Sequence, residues 1–158
     1  MELAATRQNG ATVYVDYAHT PDAVEIALKS LKPHILGKLI VVIGAGGERD
    51  EGKRPLMGAA AEKNSDFVII TDDNPRNENP SSIHQMIENG IQDNNKVTVI
   101  PDRAEAILKA VDLLDVGDGL LIAGKGHETE QIVGKNIFPF DDFEQASLSV
   151  ASLDGVEQ

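Results

Sequence analysis

Short apolar runs alternate along the chain with amphipathic stretches, and this alternation predicts a mostly parallel sheet with helices on its faces. Five runs rich in Val, Ile and Leu are predicted to be strands: residues 12–16, 39–43, 67–71, 97–100 and 119–123. Between them apolar residues recur at helical spacing, as in Val24, Ala27, Leu28 and Leu31. A hairpin-like piece over residues 130–138 is predicted to add an antiparallel edge strand. The expected fold class is therefore α/β.

Helix starts are marked by proline and by capping residues. Pro21, after Thr20, and Pro55 are predicted at first helical turns, where a missing N–H does no harm. A helix restarts around Pro80, and Asp102 opens another with a capping-box-like pattern. The last short helix is expected from residues 141–142, and the tail after residue 153 is expected to fray.

Composition limits the class of protein. At 158 residues the chain has room for one domain, residues 1–158, with a proper core. The net charge of −12 argues against binding to nucleic acid or to an anionic membrane surface, because both need basic patches. The chain has no cysteine, which excludes disulfides and thiolate chemistry. No apolar run approaches membrane-spanning length, so we expect a cytoplasmic protein.

The unusual residues follow the strands. Polar or glycine-rich loops come directly after four of the five predicted strands, over residues 16–20, 44–54, 72–76 and 124–128. The carboxyl ends of parallel strands share one edge of a sheet, and ligands of open α/β sheets bind in the crevice there. The convergence of four such loops predicts a binding site at this edge.

The densest polar cluster is Asp72-Asp73-Asn74-Pro75-Arg76. The planar guanidinium of Arg76 suits bidentate recognition of a carboxylate. Glu128 would supply the opposite charge for an ammonium group. Alone, the cluster is equally compatible with an ordinary turn, because Asn and Asp before Pro are common turn formers.

Three familiar templates nearly match, and each fails at one position. Gly44-x-Gly46 begins like a dinucleotide fingerprint, but Arg49 stands at the third glycine position, which disfavours a redox nucleotide domain. A phosphate-binding loop would need Ser or Thr in place of Gly126. A zinc-protease helix would need His in place of Gln131, so no metal site is predicted.

Several single residues have ordinary alternatives. His34 and His84 are predicted to be solvated surface residues. Asp16 and His19 could simply cap the helix that begins at Pro21. The cations at positions 53 and 54 oppose the dipole of the helix they begin, which raises the chance that they meet an anion.

Together these loops resemble the Mur ligases over residues 13–143. The motifs that carry the resemblance are Asp16-Tyr17-Ala18-His19-Thr20-Pro21-Asp22, Gly46-Gly47-x-Arg49-Asp50-x-Gly52-Lys53-Arg54-Pro55-Leu56-Met57, Asp73-Asn74-Pro75-Arg76 and Gly124-Lys125-Gly126-His127-Glu128. The resemblance implies a Rossmann-like, mostly parallel sheet of about six strands with one antiparallel edge strand. It is to the C-terminal domain of a three-domain enzyme, so we expect the UDP-sugar and ATPase domains to be absent from this chain.

The resemblance also implies a function. Mur ligases of this type are ATP-dependent, ADP-forming ligases that add meso-diaminopimelate to UDP-MurNAc-L-Ala-D-Glu during peptidoglycan synthesis, and so serve cell-wall biogenesis, cell shape and division. Carried over residue by residue, the diaminopimelate ligands would be Arg49, Asp73, Asn74, Pro75, Arg76, Gly124 and Glu128. Asp16 and His19 would contact the nucleotide.

No catalytic residue is expected in this chain, because ATP and Mg²⁺ would be bound mainly by the missing central domain. Alone, the domain is expected to be an inactive monomer that binds diaminopimelate weakly at most. The main alternative is a non-catalytic module that senses an amino acid or nucleotide with the same fold.

Overall fold

The computed structural model describes residues 1–155 of the chain. Its strands are β1 (Glu2–Thr6), β2 (Thr12–Asp16), β3 (Leu39–Ile43), β4 (Phe67–Ile70), β5 (Val97–Val99), β6 (Gly119–Ala123), β7 (Glu130–Val133) and β8 (Asn136–Pro139). Its α-helices are α1 (Pro21–Leu31), α2 (Lys53–Asn64), α3 (Pro80–Glu88), α4 (Arg103–Asp112) and α5 (Asp142–Asp154).

Six strands form one sheet in the order β1-β2-β6-β3-β4-β5, and all neighbours except β1 and β2 run parallel. The central strands β3 and β6 are buried along their whole length, as expected for a parallel sheet covered on both faces. The chain runs from β3 outward to β5 and then returns to place β6 beside β2. This reversal puts the loops after β2, β3, β4 and β6 around one crevice.

Helices cover both faces of the sheet. Apolar side chains of α1, α2 and α3 pack on one face, and those of α4 and α5 pack on the other. The predicted helical stripe of Val24, Ala27, Leu28 and Leu31 is buried against the first face. Burial at both faces stiffens the central strands, so their carboxyl ends form a fixed platform for the loops.

The antiparallel edge strand exists, but it is not the predicted one. It is β1, which pairs with β2 and contains a bulge between Leu3 and Ala5. Residues 130–139 form a separate two-stranded hairpin, β7 and β8, which does not join the main sheet. The prediction of a strand there was right, but its place in the sheet was wrong, because β7 and β8 pair with each other and the antiparallel edge is β1.

The predicted helix starts are mostly confirmed. Thr20, Asn79, Asp102 and Asp141 each accept a backbone N–H of the first turn of their helix. The second helix begins at Lys53 rather than Pro55. The last helix continues to Asp154, where Gly155 ends it in the left-handed conformation. The rest of the predicted frayed tail, residues 156–158, lies outside the described residues.

Candidate binding site at the carboxyl edge of the sheet

A cavity of about 470 Å³ lies at the carboxyl edge of the sheet. Most of the predicted site residues line it: His19, Arg49, Asp73, Asn74, Arg76, Gly124 and Glu128. Pro75 and Asp16 do not. Tyr17 and Met57 contribute to the lining and were not predicted. The structure therefore brings the four loops together, as the strand order predicted.

Glycine allows two of these loops to touch. The Gly47 N–H donates to the Asn74 carbonyl at 2.7 Å. A Cβ at Gly47 would overlap the carbonyl of Pro75, and one at Gly44 would lie 2.6 Å from the Thr71 carbonyl oxygen. Only residues without a side chain fit at these two positions. The loop after β3 and the turn after β4 therefore form one wall.

Arg76 is held in an unusual backbone conformation. Its φ of 54° lies in the left-handed region, which costs a residue with a side chain about 1 kcal/mol or more. Its backbone N–H donates to the Ile132 carbonyl at 3.1 Å, and its carbonyl accepts the Gly134 N–H at 2.6 Å. These bonds to the hairpin β7–β8 hold the turn in place.

The guanidinium of Arg76 is only partly used. Nη1 donates to the Gly47 carbonyl at 3.0 Å, whereas Nε and Nη2 have no hydrogen-bond partner within residues 1–155. The remaining donors belong to a half-buried side chain that lines the cavity. Such a group can donate hydrogen bonds to a carboxylate of a ligand.

Two more cations line the same wall. Arg49 makes one weak contact, from Nη1 to the Glu48 carbonyl at 3.5 Å. Lys53 has no side-chain partner in the part of the chain that the structure describes, although it begins helix α2, where a cation is unfavourable. A protein of net charge −12 thus carries three cations without carboxylate partners around one cavity. An anionic ligand would compensate them.

Carboxylate side chains line the same cavity as these cations. Glu128 follows β6, and its side chain is 42% exposed. Gly124 has a φ of 119°, and a Cβ there would lie 3.1 Å from Asp73 Oδ2. The loop after β6 thereby reaches the Asp-Asn-Pro-Arg turn closely. Acidic oxygens on this side suit an ammonium group.

Lys125 lies beneath the cavity and was not predicted to have a role. Its side chain is 0% exposed, and its ammonium donates to Asn74 Oδ1 and to the Glu130 carbonyl, both at 2.9 Å. Asp73 Oδ1 lies 3.2 Å away and makes no hydrogen bond with any described residue, so this contact is an ion pair. Because Lys125 is fully engaged here, it does not bind a phosphate in the cavity.

The sequence predicted that the cations at positions 53 and 54 meet an anion. For Arg54 that anion is a carboxylate of the chain itself, Glu78. Arg54 is 2% exposed and makes a two-pronged ion pair with Glu78, while its Nη2 also donates to the Gly46 carbonyl at 3.0 Å. The hydrogen bond with Glu78 raises the pKa of Arg54. Hydrogen bonds from Arg54 and from the Glu48 backbone N–H lower the pKa of Glu78. This pair joins α2 to the turn after Arg76.

A second buried pair, also not predicted, lies under the sheet edge. Arg103 donates from Nε and Nη2 to Asp142 at 2.8 and 2.7 Å, and both side chains are 0% exposed. Burial alone would lower the pKa of Arg103, but the carboxylates around it, first Asp142 and then Asp73 and Glu128, together raise it. Arg103 also donates to the carbonyls of Asp72 and Ala123, at the ends of β4 and β6. It therefore fixes the two strand ends that carry the site.

Four other predicted residues have distinct surroundings. Asp16 Oδ2 accepts the Ala18 N–H at 3.0 Å. His19 donates from Nδ1 to the Tyr17 carbonyl at 2.8 Å, which leaves Nε2 toward solvent. The prediction that His84 is solvated was wrong, because it is buried and hydrogen-bonded to Asp72. His34 is exposed as predicted.

The described residues do not offer a magnesium site. No group of three His, Cys, Asp or Glu side chains in residues 1–155 could hold a metal ion. The glycine-rich loop at 124–126 has its lysine turned inward and fully engaged. Likewise, no helix in the described range is long and apolar enough to cross a membrane.

The sheet order, the four converging loops and the Asp-Asn-Pro-Arg turn define a class of ligase domain. Residues 1–126 match the family described as "Mur ligase, glutamate ligase domain". The match covers well over half of the chain. The chain belongs to the Mur ligase family, and its fold is that of the C-terminal domain.

The relatives are more specific. The chain is 52% identical over 145 residues to a UDP-N-acetylmuramoyl-L-alanyl-D-glutamate–2,6-diaminopimelate ligase of Bradyrhizobium diazoefficiens, covering 92% of this chain and 29% of that protein. A solved structure of a ligase with the same name superposes with a TM-score of 0.91 at 40% identity, over 97% of this chain and 31% of that one. The chain spans about 30% of the length of the curated relatives it matches.

A more distant relative shares the fold alone. It is a bifunctional folylpolyglutamate synthase/dihydrofolate synthase of Yersinia pestis, solved in complex with AMPPNP and a Mn ion. Its TM-score is 0.59 at 16% identity, over 96% of this chain and 30% of that chain.

Proposed function

We propose that this chain is the amino-acid-binding domain of an ADP-forming ligase that adds meso-diaminopimelate to UDP-MurNAc-L-Ala-D-Glu in peptidoglycan synthesis. One observation carries the proposal. Within residues 1–155, Arg76 keeps two guanidinium nitrogens without partners, and Glu128, from the loop after β6, lines the same cavity. The named relatives that cover nearly the whole chain support the choice of amino acid.

The charges of the cavity match the charges of the ligand. Diaminopimelate carries an ammonium and a carboxylate at each end, whereas lysine lacks the second carboxylate. Arg76 and Arg49 would bind the carboxylate of one end, and Asp73 and Glu128 its ammonium. The cavity of about 470 Å³ is within the range typical of small-molecule sites.

The task of this domain in the reaction is to hold the nucleophile. The amino group at the other end of the ligand would attack an activated carboxyl group, and the rim residues would fix its direction and remove translational freedom. No side chain of this chain is proposed to take part in bond formation. Mutating the rim would therefore change the apparent affinity for the amino acid before it changed the chemistry.

ATP and Mg²⁺ would supply the activation of the carboxyl group. Because no described group of acidic or histidine side chains could hold the metal, and Lys125 is engaged within the chain, we assign both mainly to other parts of a longer protein. Asp16 and His19 are proposed to touch the nucleotide from this side. We also propose a cytoplasmic, monomeric protein that binds neither nucleic acid nor membrane, with roles in cell shape and division through the cell wall.

The binding proposal is tested by titrating the ¹⁵N-labelled chain with meso-diaminopimelate and with L-lysine, observed by NMR so that millimolar affinities are measurable. We expect diaminopimelate to bind at least about tenfold more tightly, since one carboxylate–guanidinium contact is worth about 1.5–3 kcal/mol. Arg76→Ala should remove this preference, and Lys109→Ala, an exposed change on α4, should not.

The same titration separates the proposal from a sensor. Weak binding with a diaminopimelate preference supports a domain that needs a partner site, whereas micromolar binding by the chain alone supports a sensing module. If diaminopimelate and lysine bind equally, or if Arg76→Ala keeps the preference, the assignment of Arg76 is wrong.

A further inference from the structure

Lys125 is a fully buried cation directly under the amino-acid cavity. Burying an ammonium is costly unless its hydrogen bonds are replaced by protein groups. Two hydrogen bonds, to Asn74 Oδ1 and the Glu130 carbonyl, and the ion pair with Asp73 compensate it, and Glu128 Oε1 lies 4.0 Å from the ammonium. Two of the three nearer partners belong to the Asp-Asn-Pro-Arg turn. The position of the lysine is therefore tied to the ligand-binding motif rather than to the general core.

The bonds to Asn74 determine which way its amide points. Lys125 Nζ and the backbone N–H of Ile132 both lie 2.9 Å from the same atom of the Asn74 side chain. An ammonium and a peptide N–H can only donate, so that atom must be the amide oxygen. The amide nitrogen then points away from both, and it has no hydrogen-bond partner in residues 1–155. Asn74 lines the cavity, so it offers the ligand a donor.

Asp73 is affected by the same cation. Its Oδ1 is buried beside Lys125, 3.2 Å from Nζ, and its Oδ2 lies near Gly124 at the cavity. The carboxylate makes its ion pair with the ammonium through Oδ1, and Oδ2 has no hydrogen-bond partner in residues 1–155. Asp73 therefore offers the ligand an acceptor, next to the donor that Asn74 offers.

We propose that Lys125 is a positioning residue that sets the donor and acceptor pattern of the cavity floor and thereby the preference for an amino acid with a second carboxylate. The inference deepens the proposed function and rests on it for the identity of the ligand. The orientation of the Asn74 amide, however, follows from the chain alone. Lys125 acts through Asn74 and Asp73 and touches no ligand itself.

The first test needs no ligand. In the ¹⁵N-labelled 158-residue chain, the side-chain order parameter of Asn74 Nδ2 reports how firmly the amide is held. Lys125→Met removes one of the two donors to Asn74 Oδ1 and keeps the approximate length and the apolar stem of the side chain. We expect the order parameter to fall from the rigid range to below about 0.6. Lys109→Met, at an exposed position on α4, is the matched control and should leave it unchanged.

The second test measures preference. The ratio of the dissociation constants for L-lysine and meso-diaminopimelate should fall about tenfold in Lys125→Met, because a mobile amide no longer presents its donor. If Lys125 had a purely structural role, the substitution would weaken the binding of both ligands equally and leave this ratio unchanged. A Lys125→Met chain with an unchanged order parameter or an unchanged ratio overturns the inference.

The outcomes also separate the two proposals. If the wild-type chain shows no preference for diaminopimelate, the proposed function fails, while the order parameter still decides whether Lys125 positions Asn74. If the preference is present but survives Lys125→Met, only the inference about Lys125 fails.

A second variant covers the case in which Lys125→Met does not fold. Asn74→Asp keeps an oxygen for both Lys125 and Ile132 but replaces the donor at the cavity by an acceptor. We expect the amide NMR spectrum of this variant to show a folded chain. The ratio of its dissociation constants for L-lysine and meso-diaminopimelate should be at least tenfold lower than in the wild type. Retention of the preference in this variant would show that the amide donor has no role in it.

Discussion

Two sets of cations lie at the carboxyl edge of the sheet, and they differ in how their charge is compensated. The anchored set, Arg54, Arg103 and Lys125, is buried, and each member meets a carboxylate of the chain. The open set, Arg49, Lys53 and Arg76, lines the cavity and meets none within the described residues. Both sets lie at the same edge of the sheet. They differ in their individual partners rather than in their place in the fold.

The comparison indicates that cations paired with a carboxylate of the chain stabilise the fold, whereas cations without such a partner are available to bind a ligand. A buried cation without a partner would destabilise the fold, so each anchored cation stands beside an acid from another element. A ligand-binding cation must keep donors free for a partner that is not part of the chain. The following predictions test whether the anchored set controls stability and the open set does not.

The largest effect is expected at Arg103. In Arg103→Met, Asp142 is left buried without its partner, which should lower the free energy of unfolding by about 3–5 kcal/mol. Urea unfolding followed by circular dichroism measures it. Arg103→Met combined with Asp142→Leu removes both charges and should recover part of the loss, because only the carbonyls of Asp72 and Ala123 remain unpaired. A loss below 1 kcal/mol in the single variant would contradict the anchoring role.

A smaller effect is expected at the second anchored pair. Glu78→Gln leaves Arg54 without a carboxylate and should cost about 1–2 kcal/mol, less than at Arg103 because Glu78 keeps a fifth of its side chain in water. The same urea titration applies. Glu88→Gln, at the end of α3 and without a side-chain ion pair among the described residues, is the matched control and should change stability little.

The effect of Glu78 should depend on pH. Its pKa is lowered in the folded chain, so its charged form stabilises the fold at pH values above the ordinary glutamate value of 4.5. This contribution is lost as the pH falls below 4.5 and through the lowered pKa of the folded state. The stability difference between wild type and Glu78→Gln should therefore be constant from pH 7 to about pH 5 and shrink in more acidic solution. A difference that grows on acidification would mean that the sign is wrong.

The smallest effect on stability is expected in the open set. Arg49→Ala should change the free energy of unfolding by no more than about 0.5 kcal/mol, because the exposed guanidinium makes one weak contact. The same variant should bind diaminopimelate more weakly in the NMR titration. A clear loss of stability would place Arg49 in the anchored set and remove it from the binding site.

The open set could be predicted from the sequence, whereas most of the anchored set could not. Arg49 and Arg76 belong to loops after strands that β-branched residues mark, so their place at the edge follows from local pattern. Arg103 and Lys125 depend on partners 39 and 51 residues away. Gly126 argued against a phosphate-binding loop, but no local signal showed that Lys125 is buried or which residues it pairs with. His84 was misplaced for the same reason, because its partner Asp72 lies on another element.

The fold shows the same division. Strands β3, β4 and β6 are continuous apolar runs, β2 and β5 alternate Val with Thr or Tyr, and the sequence pattern predicted all five. The edge strand β1 has the sequence Glu-Leu-Ala-Ala-Thr and is mostly exposed, so it carries little alternation of apolar and polar residues. Its pairing with β2 also decides that the hairpin β7–β8 lies elsewhere, and sheet edges of this kind cannot be assigned from a single segment.

The contact between Gly47 and Pro75 has a consequence for engineering the specificity of this domain. The carbonyl of Pro75 occupies the space that a side chain at position 47 would need. Transplanting the Asp-Asn-Pro-Arg turn into a related scaffold would therefore place it against a loop shaped for another turn. A functional graft must therefore transfer residues 44–52 and 72–79 together, because the two segments pack directly against each other.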